Sequence, residues 1–404
     1  MTYTVHPIKR AATLVAATLS LGLVPALAQA DGPGVGPPAI ATLGDSYISG
    51  EAGRWAGNTN RGESFHDALG ANAYNDAGTS EAIARCHRSK SAEAFVGDGV
   101  PAANFACSGA TTSSAFDGSR WKPGLDFYDD GAGHVGQAKL LQTHAAANNV
   151  RMVVVSIGGN DFGFAGVVQA CVSNFLSSPS WWPNYCRDDS AVARNFTAAN
   201  VAAKTTAIKN ALLNVGTAMS GAGYGPSQYS IVVQTYMSPI PRGSGFRYSQ
   251  SGFSRQSVGG CGFWSSDADW ANDTALPTIN AAVRNATAQT GMANIRTLEL
   301  SSAFNGRRLC ENTVGLLEER GLSSWAAAGA SDQTEWINQI RTVSTLSGNY
   351  YIQESIHPNY WGQLALRNCV RSAFNGGAPR GGTCTRGSAT GRNARGEPNM
   401  TFSP

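Results

Sequence analysis

Residues 152–159 read Met-Val-Val-Val-Ser-Ile-Gly-Gly, and this stretch decides the fold class. It is apolar on both faces, rich in β-branched residues and closed by two glycines, which is typical of a fully buried strand followed by a turn. A strand without a polar face must be covered on both sides by other elements. The stretch therefore predicts a sheet with helices on both faces.

The same pattern recurs along the chain and alternates with helical periodicity. Apolar strands are also predicted at 39–43, 230–237 and 295–300, and helices at 195–219, 273–290, 332–345 and 360–374. Alternation of apolar strands and helices favours a parallel sheet. In such sheets ligands bind beyond the carboxyl ends of the strands, so we expect the chemistry directly after them.

The first thirty residues have the pattern of a secretory signal peptide. Lys9 and Arg10 give a basic start, residues 11–28 form an apolar run, and small residues suited to cleavage follow up to position 30. The apolar run is shorter than the roughly 20 residues that a membrane-spanning helix needs. We therefore expect residues 1–30 to be an export signal and the mature protein to be extracellular.

The composition of the remaining chain is that of one large enzyme-sized domain. A net charge of +3 and 14% charged residues give no clustered basic face, so nucleic-acid binding is not expected. We predict a single domain over residues 31–384, acting as a monomer. Residues 385–404 are rich in Gly, Arg and Ser and are expected to form a loose C-terminal tail.

Cysteine usage agrees with an oxidising compartment. All eight cysteines lie after the export signal, and none forms the close C-x-x-C pairs of zinc sites. Eight cysteines allow about 105 pairings, so the pattern leaves the connectivity open. The simplest arrangement joins sequential neighbours: Cys86 with Cys107, Cys171 with Cys186, Cys261 with Cys310, and Cys369 with Cys384.

Four short segments carry reactive or unusual residues. Residues 44–51 read Gly-Asp-Ser-Tyr-Ile-Ser-Gly-Glu, and residues 106–112 read Ala-Cys-Ser-Gly-Ala-Thr-Thr. Residues 158–161, Gly-Gly-Asn-Asp, follow the Val-rich strand, and residues 353–359 read Gln-Glu-Ser-Ile-His-Pro-Asn. Each of the first three has the small residues of a tight turn.

Together these segments supply the parts that ester cleavage requires. Ser46 directly follows a strand and is the candidate nucleophile, and His357 is the candidate base, because imidazole titrates near neutral pH. The backbone N–H groups of Ser46 and Gly109 and the side-chain amide of Asn160 are candidate donors to an oxyanion. This chemistry needs neither a metal nor an organic cofactor.

In this order, the four segments resemble blocks I, II, III and V of the SGNH (GDSL-type) hydrolases. Ser46, Gly109, Asn160 and His357 stand at the four namesake positions, and the resemblance covers about residues 41–369. It implies a three-layer α/β/α, flavodoxin-like fold and hydrolysis through an acyl-enzyme. The chain is similar to secreted actinobacterial lipases and phospholipases of this family.

One position departs from the family pattern. The family usually places Asp three residues before the histidine, where this chain has Glu354. Either the Glu354 carboxylate or the main-chain carbonyl of Ser355 is expected to orient His357, and the carbonyl is slightly favoured. Asp161 is expected to brace its loop. His66, His87, His134 and His144 are interpreted as surface or structural residues.

An aromatic segment, Ser-Trp-Trp-Pro-Asn-Tyr at residues 180–185, lies between Cys171 and Cys186. It is either a disulfide-closed surface loop with partly buried tryptophans or an apolar rim that faces lipid. Phe162 and Phe164 are expected to line an apolar site, and Trp55 and Trp361 are candidates for the same role.

Three functions remain open on the sequence. The leading hypothesis is a lipolytic ester hydrolase, a phospholipase of A1 or B type (lysophospholipids included) or a lipase, working on an ester or lipid substrate at a membrane or micelle surface. The alternatives are an esterase that removes acetyl or short acyl groups from polysaccharide, and a non-catalytic binding protein. The presence of both Ser46 and His357 argues against the last of these.

Overall fold

The computed structural model describes residues 32–341 and 352–404, together with positions 1, 2 and 4. The predicted export signal therefore lies outside the described residues except for those three positions. No helix within the described ranges combines the length and the apolar character that crossing a membrane requires.

A seven-stranded sheet forms the centre of the molecule. Its strands, in chain order, are β1 (Val35–Gly44), β2 (Ala102–Asn104), β5 (Asn148–Ser156), β6 (Ser230–Gln234), β7 (Ile295–Glu299), β8 (Gly382–Arg386) and β9 (Met400–Ser403). A separate antiparallel hairpin consists of β3 (Ala115–Asp117) and β4 (Arg120–Lys122). The spatial order is β2-β1-β5-β6-β7-β8-β9, and every neighbouring pair is parallel except β8 with β9.

The sheet order confirms the predicted fold class. Counted along the chain within this sheet, the first five strands lie in the order 2-1-3-4-5, which is the flavodoxin-like order. The order reverses between β1 and β5. Ligands of doubly wound sheets bind at this reversal, so the carboxyl ends of β1 and β5 mark the expected site.

The register brings the two central strands to an end at the same level. Leu43 pairs with Val155 and Gly44 with Ser156, so the turns after β1 and β5 leave the same edge of the sheet. Most of both strands is buried, because the parallel sheet is covered on both faces.

Helices form the two outer layers. In chain order they are α1 (Ser46–Ser49), α2 (Gln137–Ala145), α3 (Phe164–Ser177), α4 (Ser190–Ala193), α5 (Ala198–Gly221), α6 (Ser254–Ser257), α7 (Ser265–Trp270), α8 (Leu276–Gln289), α9 (Ala330–Gln333) and α10 (Tyr360–Phe374). Helices α2, α5 and α8 pack side by side, while α10 packs near β8 and β9, which gives the three-layer arrangement. A π-helical turn, Ala271–Ala275, leads into α8.

The expectation of a loose tail over residues 385–404 is wrong. Strand β9 closes the sheet by pairing antiparallel with β8, and Glu397 is buried in an ion pair with Arg371. Cys384 is joined to Cys369 of α10, which fixes the start of this segment. The Gly- and Arg-rich composition of this segment gave no strand pattern, because β9 forms through its pairing with β8 and not through its local sequence.

The helix predicted over 332–345 is also wrong where the structure describes it. Only the four residues of α9 are helical, and the chain then runs past Asn58. The Asn58 side chain donates to the Ile337 carbonyl (2.8 Å) and accepts from the Gln339 N–H (3.0 Å). These tertiary bonds override the local periodicity. Residues 342–345 lie outside the described residues.

Four disulfide bonds confirm the sequential pairing. They join Cys86 to Cys107, Cys171 to Cys186, Cys261 to Cys310 and Cys369 to Cys384. Each closes a short or medium loop, with sequence separations of 15 to 49 between the partners, and the expected stabilisation is about 2–4 kcal/mol per bridge.

Candidate active site

The turn after β1 holds Ser46 at the carboxyl edge of the sheet. Gly44 has φ +136°, and a Cβ there would lie 1.8 Å from the Ser156 carbonyl oxygen, so only glycine fits the turn. The Asp45 carboxylate then accepts the N–H of Tyr47 (3.1 Å) and caps α1. Ser46 is the first residue of α1 and is therefore fixed by backbone geometry.

His357 meets Ser46 across 311 residues of chain. The distance from His357 Nε2 to Ser46 Oγ is 2.6 Å, and Nδ1 lies 2.9 Å from the Ser355 carbonyl oxygen. A carbonyl only accepts, so Nδ1 carries the proton and Nε2 presents its lone pair to the serine hydroxyl. This tautomer is the one in which His357 can act as the base.

The structure separates the two candidates for orienting His357. Nδ1 of the ring bonds to the Ser355 carbonyl, as the sequence slightly favoured. Glu354 is buried, and its two carboxylate oxygens accept from Trp55 Nε1 (3.0 Å) and from the Tyr74 hydroxyl. Glu354 therefore braces the loop, and these contacts do not support the alternative in which its carboxylate orients His357.

The predicted oxyanion donors gather around the same edge. Asn160 lies in the turn after β5 and lines the same pocket as Ser46. Its Nδ2 donates to the Ala110 carbonyl (2.9 Å). An amide nitrogen carries two hydrogens, so Asn160 can hold this loop and also meet an oxyanion. Gly109, next to Ala110, has φ +82°, which favours glycine there.

Asp161 braces the loop that carries Gly109, as the sequence predicted. Its carboxylate accepts from the N–H (3.2 Å) and the hydroxyl (2.7 Å) of Thr112. Burial raises the pKa of Asp161, and these bonds oppose the shift. The carboxylate thus positions the second segment against the third.

A tyrosine bridges the turns after β1 and β5. The N–H of Gly159 donates to the Tyr236 hydroxyl (2.9 Å), and that hydroxyl donates to the Asp45 carboxylate. Burial raises the pKa of Asp45 to about 7, although bonds from Tyr236 and Tyr47 act in the opposite direction. The bridge ties the nucleophile turn to the turn that bears Asn160.

An apolar groove opens from the nucleophile. Ser46 and Asn160 share a pocket of about 370 Å³ with Tyr47, Gly159, Tyr236, Met237 and other residues, and an adjoining pocket of about 620 Å³ continues it along α3 and the π-helical turn. The two pockets share Phe164, Pro239, Leu276 and Ile279. We call the two together the acyl groove.

The predicted aromatic lining is confirmed in part. Phe162 and Phe164 line the acyl groove. Trp55 and Trp361 do not share this position: they are 0% and 1% exposed and belong to the buried interior, with Trp55 stacked on His66. A tryptophan fills a large volume in the protein interior as well as it lines a groove, so residue type alone could not show which of the two positions Trp55 and Trp361 occupy.

The aromatic segment is a surface loop at the end of α3. Trp181 and Trp182 are 81% and 74% exposed, which contradicts the first alternative, a loop with partly buried tryptophans. The Cys171–Cys186 disulfide closes the loop, and Cys171 also lines the acyl groove. The loop is thus attached directly to the groove wall.

Sequence reasoning missed a buried polar cluster beside the site. Glu51 and His87 are both 0% exposed, and Glu51 Oε1 lies 2.6 Å from His87 Nδ1. Gln353 donates to Glu51 Oε2 (3.0 Å) from the loop that carries His357. Glu51 lies in the first of the four segments, five residues after Ser46, and this proximity was the sequence feature that could have identified it as part of the site.

The arrangement meets the requirements of nucleophilic acyl transfer. A serine hydroxyl bonds to a correctly tautomeric imidazole, and amide donors and an apolar groove adjoin it. Burial lowers the pKa of His357, while the Glu51 charge and the bond to Ser355 oppose the shift. The ring is therefore neutral, and able to accept a proton, at neutral pH.

No protein-family model matches the sequence, and no curated protein sequence matches it. Among solved structures, the chain is similar to an extracellular lipase from Streptomyces rimosus, with 20% identity over 83% of this chain and 99% of that chain and a TM-score of 0.42. It is similar also to phospholipase A1 from Streptomyces albidoflavus NA297, with 19% identity over 83% and 99% and a TM-score of 0.44.

Proposed function

We propose that this chain is a carboxylic ester hydrolase of the SGNH type that cleaves fatty acyl esters, with glycerophospholipids as its substrate class. One observation carries the proposal. The Ser46 hydroxyl lies 2.6 Å from the His357 imidazole at the inner end of an apolar groove.

The reaction proceeds in two acyl transfers. Ser46 Oγ attacks the ester carbonyl carbon while His357 Nε2 takes the hydroxyl proton, and the oxyanion is met by the Ser46 and Gly109 N–H groups and the Asn160 amide. The intermediate expels the alcohol, which receives the proton from His357. Water, deprotonated by the same imidazole, then attacks the acyl-enzyme and releases the carboxylic acid and free Ser46.

The lining of the acyl groove favours a long acyl chain. The walls of both pockets are mainly apolar, and the second pocket extends the apolar lining to residues that do not adjoin Ser46, among them Phe196, Phe263 and Trp270. Each methylene that leaves water contributes about 0.8 kcal/mol, so a fatty acyl chain draws far more binding free energy from such walls than acetate does. This supports a lipolytic enzyme over an acetyl esterase.

The phospholipid class is proposed from the apolar groove and the exposed aromatic loop. Lys122 lies near Gly109, but its Nζ donates to the Arg85 carbonyl (2.7 Å) and its side chain is buried, so its charge is already engaged by the protein. We therefore propose a phospholipase of A1 or B type, lysophospholipids included, on the apolar lining and the exposed Trp181 and Trp182.

Exposed indoles at the groove support work at a lipid surface. Trp181 and Trp182 are exposed and lie on a loop that the Cys171–Cys186 disulfide closes. The backbone N–H of Trp182 donates to the Pro179 carbonyl (2.9 Å) within this loop. Indoles favour the membrane–water interface. The four disulfides and the basic, apolar start of the sequence support an extracellular location.

Two assays test the proposal. A p-nitrophenyl ester series from acetate to palmitate, with Ser46→Ala as the blank, is expected to give kcat/KM that rises with chain length. Defined phosphatidylcholines, with 1-acyl and 2-acyl release scored separately, are expected to yield free fatty acid. A preference for acetate without release from phospholipid would overturn the lipid substrate and favour the polysaccharide esterase.

A phosphonate probe separates enzyme from binding protein. A fluorophosphonate is expected to label the folded protein on Ser46, because the reagent needs an activated hydroxyl and an oxyanion cradle. Absence of labelling would overturn the catalytic proposal altogether.

A further inference from the structure

Glu51 is a buried carboxylate that the reaction as written above does not use. It is 0% exposed and begins the chain segment after α1. Its N–H donates to the Ser46 carbonyl (3.2 Å), so its backbone is tied to the nucleophile. Burying an ionised carboxylate is costly unless it is paired, and here His87 is the partner at 2.6 Å.

The carboxylate of Glu51 joins three of the catalytic segments. Gln353, which donates to Oε2 (3.0 Å), stands two residues before Ser355, whose carbonyl holds His357. The same Gln353 amide lies 3.5 Å from the hydroxyl of Ser108, the residue before Gly109. The side chains of Glu51 and Gln353 together thus link the nucleophile turn, the oxyanion segment and the histidine loop.

Glu51 is ionised at neutral pH. Burial alone would raise its pKa, but the charge of His87 and its hydrogen bond lower the pKa of Glu51 to about 2. Burial likewise lowers the pKa of His87, and the nearby carboxylates, Glu51 foremost, raise it above its usual value. Glu51 therefore carries a negative charge next to the catalytic histidine, and the raised pKa of His87 favours the protonated form of its partner.

The site otherwise lacks the charge that a Ser–His–Asp triad supplies. In such a triad a buried carboxylate orients the ring and stabilises the imidazolium that forms during attack. Here the group on Nδ1 is a neutral carbonyl, which orients the ring but brings no charge. A buried His357 still needs a compensating negative charge when it accepts the Ser46 proton.

We infer that Glu51 is the positioning residue that fixes the histidine loop through Gln353 and stabilises the His357 imidazolium, so that it supplies the negative charge that an aspartate supplies in a triad. The inference rests on the proposed function and deepens it. Within the described residues, the charged or titratable groups around this cluster are His87, Glu81, Glu354, Tyr74, Lys122 and His357.

The cluster is closed by protein donors. Glu51, His87 and Glu354 have the residue types of a metal site and lie close together. Glu51 binds His87 and Gln353, and Glu354 binds Trp55 and Tyr74. Each carboxylate oxygen is thereby engaged, and the cluster acts as a charge and hydrogen-bond network.

Two variants with opposite effects test the inference. Glu51→Gln keeps the shape but removes the charge, so the pKa of His357 falls; Glu51 affects that pKa more strongly than His87 does. We expect kcat on p-nitrophenyl butyrate to fall about tenfold and the acid limb of kcat/KM to move about one pH unit lower. His87→Gln removes the opposing positive charge, and we expect its acid limb to move to higher pH.

The matched control is Glu354→Gln, which neutralises another buried carboxylate of the same cluster and is expected to leave the acid limb in place. Thermal unfolding is measured for all variants, and if Glu51→Gln fails to fold, the upward shift in His87→Gln still tests the inference. Loss of rate without any movement of the acid limb in either variant would overturn it. If the wild type itself fails to label with fluorophosphonate, the proposed function fails instead.

Discussion

The two sides of the His357 imidazole differ in composition: one is polar and the other is apolar. On one side lie buried polar groups: the Ser355 carbonyl, which bonds to the imidazole (2.9 Å), and the Glu51–His87 pair (2.6 Å), which Gln353 links to the histidine loop (3.0 Å). On the other side lie the rings of Tyr47 and Phe164, whose centroids are 5.1 and 6.2 Å from the imidazole. The polar side sets the proton chemistry, and the apolar side offers a place for substrate.

This division predicts which variants change rate and which change substrate. Directional polar contacts lose their function when one partner is removed, because a buried group is left unpaired. Apolar walls contribute binding free energy in proportion to the surface that the substrate covers, so a change in their shape alters the length of acyl chain that fits. The expected effects therefore run from the nucleophile to the outer loop.

The largest effect is expected at the nucleophile. Ser46→Ala should lower turnover by at least about 10⁴-fold while leaving the fold intact, because no acyl-enzyme can form. Stopped assays with enzyme in excess, together with circular dichroism, check this. Retention of full activity would remove Ser46 as the nucleophile.

Asn160→Ala should lower kcat by about 10²–10³-fold, because the oxyanion loses one preorganised donor. Since Asn160 also holds the Ala110 carbonyl (2.9 Å), thermal unfolding is the control for a displaced loop. A normal kcat in a folded variant would exclude the Asn160 amide from the reaction.

On the apolar side, Ile279→Trp should shorten the acyl groove, since Ile279 lines both of its pockets. We expect kcat/KM for laurate and palmitate esters to fall about 10- to 100-fold, with the acetate ester little changed. Leu213→Trp, which places the same ring at an exposed position of α5, is the matched control. An equal loss for all chain lengths would argue against the groove as the acyl site.

A smaller effect is expected at the outer loop. Trp181→Ala with Trp182→Ala should lower turnover on phosphatidylcholine vesicles about tenfold or more, because two indoles no longer enter the interface. Hydrolysis of a soluble butyrate ester should be unchanged. Phe253→Ala, at a site 55% exposed, is the control, and an equal loss there would remove any special role for the loop.

The smallest effect is expected at Glu354. Glu354→Gln should retain activity within about twofold, because the ring is oriented by the Ser355 carbonyl and a glutamine oxygen can still accept from Trp55 or Tyr74. Steady-state kinetics on p-nitrophenyl butyrate measure this. A loss of about 10³-fold would restore Glu354 to the place of a triad acid.

Prediction from sequence was strongest where the pattern was local. The structure confirmed the strands β1 and β5 that precede Ser46 and Asn160, the α10 helix and the pairing of the cysteines. It was weakest where distant contacts decide. Strand β9 depends on β8, the segment after α9 depends on Asn58, and Trp55 and Trp361 are buried away from the groove where they were candidates.

The sequence by itself determined the buried strands of a parallel sheet covered by helices and the four segments that carry Ser46, Gly109, Asn160 and His357, and the resemblance of these segments to the SGNH hydrolases implied the flavodoxin-like class. The strands and helices follow from steric preferences and burial patterns within a few residues, which a single chain segment expresses on its own. Only the tertiary structure decided that the Ser355 carbonyl holds the imidazole and that Glu51 and His87 lie beside it. Partners of a buried polar group are chosen by which remote segments meet, here 311 residues apart for the reacting pair, and no local pattern encodes that meeting.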